Sequence, residues 1–364
     1  MTKRTSNKKR IRGVRLALAC AAVLGCSLPL FGQGPSSNEY LFNDSHFHLT
    51  NYIQEGTDIH DFLKIIGTKV GRVALFGIPL QQQWSWRIDA DRAPTYYLNS
   101  DAPLYYYSFT DAYIAMTYRS LNKEEQARFD PMITGFNPTD MYASDHIKRV
   151  LKTFPGVFTG IGEFSIHKEF VAAKIAGGVA SLQEPALDRI LDFAEEAGLV
   201  VILHCDVDVP FPKEGAPAAY AGRLKELFKR HPKTTIIWAH IGVGRIVRPM
   251  KDQGAIVEDM IKDPDLKNLY FDISWDEVAK YVTATPASAA LAATLINRYP
   301  DRFIFGTDVV APSDQASYMR VYELYDPLFK LLDKETKEKL LKGNYERIFD
   351  AARIRVRAWE KANT

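Results

Sequence analysis

Segments with the pattern of buried β-strands alternate with segments of helical pattern along most of the chain, and this alternation restricts the fold more than any other feature. Strand-like apolar runs lie at residues 72–78, 132–136, 157–163, 199–203, 234–239, 269–273 and 302–306, and a shorter one precedes His46. Helical spacing of apolar residues separates most of these runs. Eight such strands predict an α/β fold, the (β/α)8 TIM barrel. A doubly wound open sheet is the alternative, but no glycine-rich phosphate loop follows the first strand.

One long stretch interrupts the alternation. Residues 80–131, after the second strand, are rich in tryptophan and tyrosine, and we predict that they form an aromatic-rich insertion. Long excursions from a compact domain are often lids or binding loops. A helical subdomain with its own small core is an equally good interpretation.

The amino terminus has the pattern of a secretory signal. The first fifteen residues carry seven basic groups and no acid, and an apolar run follows at 16–31. We predict a signal peptide over residues 1–33, a single mature barrel domain over 37–364, and a periplasmic or extracellular location without a membrane span after cleavage. Residues 23–26 also resemble a lipoprotein cleavage box, so lipid anchoring through Cys26 is a second interpretation. An uncleaved signal anchor is a third.

Removal of this segment changes the charge of the protein. The formal net charge of +2 becomes about −5, because the first 33 residues contain seven basic groups and no acidic ones. An acidic mature chain offers no electrostatic surface for nucleic acid, so we expect a small-molecule substrate instead. Cys205 is the one cysteine left, which excludes an intramolecular disulfide and favours a buried thiol.

Residues of the kind that bind metals fall at the predicted strand ends. His46 and His48 are two apart in the first strand, so their side chains share one face. Further candidates end later strands: Glu163 on the fourth, His204 on the fifth, His240 on the sixth and Asp308 on the eighth. Because the carboxyl ends of barrel strands meet on one face, these groups are predicted to converge. Imidazole and carboxylate are ligands of zinc and similar divalent metals.

The ordered motifs DSHFH at 44–48, GIGE at 160–163, VILH at 201–204, IWAHIG at 237–242 and FGTD at 305–308 resemble those of the metal-dependent amidohydrolase superfamily. The chain is most similar to the amidohydrolase-related, or family 2, branch, which contains decarboxylases and lactonases of small carboxylated compounds. The resemblance covers nearly the whole mature chain except the aromatic insertion.

This resemblance implies that His46, His48, His204 and Asp308 bind a single zinc-like ion, with His240 beside it as acid/base or electrophile. For two ions, Glu163 would bridge them, with His204 and His240 on the second. A third role for Glu163 is to orient a ligand histidine without touching metal. The nucleophile would be a metal-activated water whose proton passes to Asp308.

Two further residues are candidates for substrate binding. Arg245 follows His240 by five residues, where its guanidinium could bind a substrate carboxylate in bidentate fashion. An ordinary loop salt bridge is the competing interpretation. Trp275 follows the seventh strand and would either line the pocket or pack within the rim.

These features predict an exported, divalent-metal-dependent hydrolase of a small ester, lactone or amide. A non-oxidative decarboxylase of a small carboxylic acid is the first alternative. A TatD-like nuclease shares the opening motif, but the acidic charge and the residues Phe164-Ser165 after Glu163 count against it. A barrel that binds metal or ligand without turnover is the last alternative. The sequence leaves open the substrate, the metal, the number of ions and whether the barrel forms a homodimer.

Overall fold

The computed structural model describes residues 40–51, 56–78, 81–84, 104–106, 109–168, 180–213 and 215–363. The predicted signal peptide, with Cys26, lies outside these residues, as do residues 80, 85–103 and 107–108 of the predicted insertion. Among the described helices, none has the length and apolar character needed to cross a membrane.

Nine strands form one parallel sheet in the order β10-β9-β8-β7-β6-β5-β2-β1-β11. Their bounds are β1 Phe42–His48, β2 Val70–Phe76, β5 Phe129–Ile133, β6 Gly160–Ser165, β7 Val200–His204, β8 Thr235–Trp238, β9 Leu269–Asp272, β10 Phe303–Ile304 and β11 Val309–Val310. A separate antiparallel pair consists of β3, Gln81–Trp84, and β4, Leu104–Tyr106.

The sheet closes on itself through its last strand. β10 pairs with β9 and β11 pairs with β1, although only four residues separate the two short strands. Backbone hydrogen bonds from Ser45 N to Phe305 O (3.2 Å) and from Asp308 N to His46 O (2.7 Å) complete the seam. β10 and β11 are therefore two parts of one eighth strand. This arrangement confirms the predicted α/β TIM-barrel-like fold.

Helices connect the strands, as a parallel sheet requires. Their bounds are Ile59–Ile66, Phe109–Arg119, Lys123–Gln126, Ala143–Thr153, Pro185–Ala197, Ala221–Arg230, Gln253–Lys262, Asp276–Val282, Pro286–Arg298, Gln315–Leu324, Asp326–Phe329, Lys334–Glu338 and Asn344–Asn363. Local signals set several ends: the Asp58 carboxylate caps the amides of His60 and Asp61, and Gly198 ends the helix Pro185–Ala197 at a φ of 76°.

Strand alternation separates two apolar layers. On β7, Val200 and Ile202 belong to the inner core, whereas Val201 and Leu203, with Cys205 just after the strand, pack in the outer core against the helices. His204 follows the inward alternation and therefore enters the barrel. Each fully buried aliphatic side chain contributes about 1.5–3 kcal/mol relative to its exposed state, so the alternation fixes the strand register firmly.

The third barrel strand begins earlier than the sequence predicts. β5 starts at Phe129, which pairs with Val73 of β2, so residues 129–131 belong to the barrel and not to the predicted insertion 80–131. Pro131 pairs with Leu75 of β2, although a proline cannot donate a ladder hydrogen bond. The remaining described parts of 80–131 are β3, β4 and two helices.

Candidate metal centre

The carboxyl ends of five strands bring together the predicted metal ligands. His46 and His48 stand on β1, Glu163 near the end of β6 and His204 at the end of β7. His240 and Asp308 follow β8 and β10, respectively. The side chains of all six residues are at least nine-tenths buried. The strand ends thus converge as the sequence predicts.

His46 and His48 present the same ring nitrogen to the same carboxylate. Their Nε2 atoms lie 3.3 and 3.2 Å from Asp308 Oδ1. The Nε2 atoms also lie 3.8 and 3.5 Å from Glu163 Oε2. Two imidazoles and two carboxylates therefore face one small volume inside the barrel mouth.

Acceptors on the far side of each ring fix this orientation. His46 Nδ1 lies 2.8 Å from Asp272 Oδ2, and His48 Nδ1 lies 3.4 Å from Gly77 O. A carboxylate and a carbonyl only accept hydrogen bonds, so Nδ1 carries the proton in both rings. His240 Nδ1 is 3.0 Å from Ser274 Oγ, which donates its own proton to Asp272 Oδ2. The three Nε2 atoms are consequently directed into the centre, as in metal-binding histidines.

Glu163 occupies the middle of the cluster. Its Oε1 lies 2.6 Å from His204 Nδ1 and 3.5 Å from His240 Nε2, on the side opposite His46 and His48. Glu163 thus faces four histidines, a position that the sequence alone did not distinguish from an outer orienting role.

His204 has a different environment from the other histidines. Its Nδ1 faces Glu163 and its Nε2 lies 3.1 Å from Asp206 Oδ1. The structure therefore brings His204 to Glu163 and His240, but not into the group formed by His46 and His48. Its predicted membership of a four-residue ligand set with Asp308 stays a prediction.

The cluster favours a cation. Burial would raise the pKa of Glu163, but Lys168 and His204 outweigh it and hold this pKa well below its ordinary value. Burial opposes ionisation of Asp308 too, yet His46 and His240 keep its pKa lowered. Both carboxylates are therefore ionised at neutral pH.

Burial lowers the pKa of both His46 and His240, but the net pKa shifts of the two residues are opposite. Burial lowers the pKa of His46, but Asp308, Asp272 and Glu163 overcome this effect and hold the pKa well above the ordinary value. Burial dominates at His240, whose pKa is lowered.

The donor set fits a divalent metal ion. Nε2 of His46 and of His240 is buried without a hydrogen-bond partner, and such atoms normally have one. The groups His46/His48/Glu163 and Glu163/His204/His240 each bring their potential ligand atoms within 4.8 Å of one another. Nitrogen and carboxylate oxygen at this spacing suit zinc and related ions without selecting one of them.

Backbone strain accompanies three residues of the centre. His240, Trp275 and Asp308 have φ values of 55°, 88° and 53°. Residues other than glycine at such angles cost about 1–3 kcal/mol each and concentrate at functional sites. Gly306 allows the close packing, because a Cβ there would lie 2.8 Å from His46 N and Cβ.

Trp275 and Arg245 lie beside the centre. The Trp275 ring is 4.9 Å from the His240 ring, and the Arg245 guanidinium lies 5.4 Å from the Trp275 centroid. Arg245 also forms a 3.1 Å ion pair with Glu277 Oε1, while its side chain remains 41% exposed. The salt bridge foreseen for this loop is therefore present, and Trp275 packs at the rim.

Sequence reasoning missed four residues around the cluster: Asp272, Ser274, Asp206 and Lys168. Asp272 ends β9, so the rule that found the other ligands also pointed to it. Lys168 follows β6 and lies 3.3 Å from Glu163 Oε1, a contact that no local pattern announces.

Asp44 supports the first strand from within. Its Oδ1 accepts hydrogen bonds from His46 N (3.0 Å) and Thr307 N (2.8 Å), and its Oδ2 accepts from Thr307 Oγ1 (2.6 Å) and Tyr318 OH (2.5 Å). It therefore ties β1 to the segment that carries Asp308.

The TIM-barrel-like fold and the buried His/Glu/Asp cluster at its strand ends place the protein in the class of TIM-barrel proteins with a potential metal centre. The family model for amidohydrolases, Amidohydro_2, matches residues 44–351. The chain belongs to this amidohydrolase family. No curated protein sequence matches it.

Solved structures share the fold at low sequence identity. A Pseudomonas putida protein assigned as a 2-pyrone-4,6-dicarboxylic acid hydrolase is 13% identical, with a TM-score of 0.52, covering 86% of this chain and 98% of its own. The 2,6-dihydroxybenzoate decarboxylase from Rhizobium is 14% identical, with a TM-score of 0.52, covering 85% and 99%. An uncharacterised TIM-barrel protein from Bordetella bronchiseptica is 14% identical, with a TM-score of 0.51 and the same coverage.

Proposed function

We propose that the protein is an exported, divalent-metal-dependent hydrolase that uses an activated water on a small ester, lactone or amide. The observation that carries this proposal is the buried, partnerless Nε2 of His46 and of His240 beside two ionised carboxylates. Export rests on the basic and apolar pattern of the amino terminus.

In this proposal His46, His48 and Asp308 hold one ion, zinc being our first choice. Glu163 or His204 supplies the fourth ligand. A divalent ion held by these residues would polarise a substrate oxygen and lower the pKa of water. Asp308 and His240 then transfer the proton that the water loses.

Asp308 accepts the proton of the attacking water, because its carboxylate is ionised. His240 serves as acid/base toward the leaving group: its Nε2 takes up the proton that Asp308 has accepted from water and passes it to the leaving group. Its Nδ1–H is held by Ser274, so Nε2 offers a lone pair 3.8 Å from Asp308 Oδ2. The lowered pKa of His240 keeps that lone pair unprotonated in the resting protein.

Substrate binding falls to Trp275 and Arg245 in this proposal. Trp275 offers an aromatic edge beside His240 against which an apolar or planar group packs. Arg245 pairs with Glu277 through a side chain that is 41% exposed, and in this proposal it exchanges that partner for a substrate carboxylate.

Decarboxylation is the second candidate function. It is favoured by the structural neighbour named as a 2,6-dihydroxybenzoate decarboxylase, which lies at the same TM-score as the neighbour assigned as a hydrolase. The two reactions differ in whether water enters the product.

The first experiment measures metal content by plasma mass spectrometry after chelator-free purification. We expect about one ion per chain in the wild type and none in the double variant His46→Ala/His48→Ala. Absence of metal from both proteins, even after reconstitution, would overturn the proposal.

A second experiment separates the two reactions. Lactones, esters, amides and aromatic acids are screened in ¹⁸O-labelled water. A hydrolase places the label in its product, whereas a decarboxylase releases carbon dioxide without incorporating it. Carbon dioxide release alone would replace hydrolysis by the second candidate.

A further inference from the structure

Lys168 is a buried cation inside the cluster. The residue is 7% exposed, and its Nζ lies 3.3 Å from Glu163 Oε1 and 5.8 Å from the Trp275 ring centroid. A lysine is rarely buried to this degree unless its charge is compensated. Its position next to a potential metal ligand therefore calls for a specific role.

Glu163 divides the cluster into two halves. Its Oε2 faces His46 and His48, whose Nε2 atoms also face Asp308. Its Oε1 faces His204 and His240. Each half contains a group of residues able to hold an ion, so the ligand inventory alone permits two ions bridged by Glu163.

Lys168 lies beside one of these halves. Its ammonium is 3.3 Å from Oε1, the Glu163 oxygen that also faces His204 and His240. His204 already has carboxylates at both nitrogens, Glu163 at Nδ1 and Asp206 at Nε2. The half formed by His204 and His240 therefore has a positive charge beside Oε1, the Glu163 oxygen that a second ion would bind.

We propose that the Lys168 ammonium takes the place of a second metal ion, so that the centre binds a single divalent ion between His46, His48 and Asp308. This inference rests on the proposed metal-dependent function. A metal bound to Oε1 at about 2.0–2.2 Å would lie within roughly 5.5 Å of Nζ, where a divalent ion and an ammonium repel each other strongly in a poorly screened interior.

Charge compensation supports the same conclusion. One divalent ion together with Lys168 brings three positive charges to the four buried carboxylates Glu163, Asp206, Asp272 and Asp308, which leaves the centre with one negative charge. A second divalent ion would leave a buried excess of positive charge, which is costly. Removal of the ammonium, conversely, would leave Glu163 with uncompensated negative charge and a free side for another cation.

The test is a metal titration of metal-depleted protein with Mn²⁺, followed by calorimetry and electron paramagnetic resonance. We expect one ion per chain in the wild type, two in Lys168→Met and one in Lys168→Arg, which keeps the charge. A spin-coupled Mn²⁺ pair, the signature of two bridged ions, is expected only in Lys168→Met.

Lys342→Met is the matched control. Lys342 is also a buried lysine paired with a glutamate, Glu338, at 3.4 Å, but on the π-helical turn Lys339–Gly343. We expect this variant to bind one ion. Circular dichroism and thermal melting check the fold of each variant, and Lys168→Gln replaces Lys168→Met if the latter does not fold.

The outcomes distinguish this inference from the function on which it rests. Two ions in the wild type would overturn the role of Lys168 and leave a metal-dependent enzyme. One ion in folded Lys168→Met or Lys168→Gln would overturn it as well. No ion in the reconstituted wild type would overturn the metal-dependent function itself.

Discussion

Asp272 and His46 are joined by a hydrogen bond of 2.8 Å between Nδ1 of the ring and Oδ2 of the carboxylate, and both side chains are fully buried. The same oxygen accepts a hydrogen bond from Ser274 Oγ, which lies 3.0 Å from His240 Nδ1. One carboxylate therefore orients two histidines at once. The ring nitrogen that each presents to the centre depends on it.

We expect Asp272→Asn to weaken metal affinity about 10–100-fold, the usual cost of losing a carboxylate behind a ligand histidine. The amide keeps the size of the side chain but loses its charge. Competition with a chromophoric chelator measures the affinity. Asp188→Asn is the control, because Asp188 forms a 2.7 Å hydrogen bond with His231 away from the centre. Equal affinities in the two variants would contradict the orienting role of Asp272.

The identity of the fourth ligand can be tested by comparing Glu163→Gln with His204→Ala. We expect the larger loss of metal affinity, about tenfold or more, in Glu163→Gln, since Oε2 already faces His46 and His48. Both nitrogens of His204 have carboxylate partners. Chelator competition gives the ranking. The reverse order would show that His204 turns toward the ion, as the family resemblance implies.

Gly306→Ala should displace His46. A Cβ at Gly306 would lie 2.8 Å from the backbone nitrogen and Cβ of His46, and neither atom can yield without moving β1. We expect a loss of stability of about 1–3 kcal/mol from this overpacking, accompanied by weaker metal binding. Urea unfolding and metal titration measure the two effects.

Gly254→Ala is the control for that substitution, because an added Cβ meets no atom within 4 Å and the residue is in a helix. We expect unchanged or slightly greater stability. If Gly306→Ala also leaves the free energy of unfolding and the metal affinity unchanged, the close contact between Gly306 and His46 is not needed to position His46.

The buried Asp130 at the amino end of β5 should govern acid stability. Burial would raise its pKa, but Arg353 and Arg72 outweigh burial and lower it from 3.8 to about 2. Because the folded-state pKa lies below the unfolded one, the carboxylate stabilises the fold above pH 3.8 and this contribution disappears as the pH falls through about 2. Linkage gives it a size of about 2 kcal/mol.

We expect Asp130→Asn to lower the free energy of unfolding at pH 7 by about 3–5 kcal/mol, since the largely buried Arg353 loses its carboxylate and Arg72 keeps only the exposed Asp350. The variant should also lose less additional stability than the wild type between pH 4 and pH 2. Urea unfolding across this range measures both effects. Asp350→Asn is the control: Asp350 pairs with Arg72 through an exposed side chain, so a change within about 1 kcal/mol is expected. If Asp130→Asn loses as much stability as the wild type between pH 4 and pH 2, Asp130 is not the group that governs acid stability.

Periodicity and strand-end chemistry were enough to predict the barrel and the convergence of its candidate ligands. His46 and His48 share a face because strand side chains alternate, and Glu163, His204, His240 and Asp308 meet them because parallel strands end on one rim. The start of β5 was predicted less well, since pairing of Phe129 with Val73 depends on the neighbouring strand. The polarity of residues 129–131 does not reveal it.

The sequence by itself thus determined the residue types and the face on which they gather. Only the tertiary structure decided their relations: Asp272 reaches His46 across 226 residues of chain, Glu163 stands between two histidine pairs, and Lys168 enters one half of the centre. The physical reason is that ring orientation and charge pairing depend on contacts a few ångströms long between segments distant in the chain. The local periodicity of the sequence does not predict such contacts.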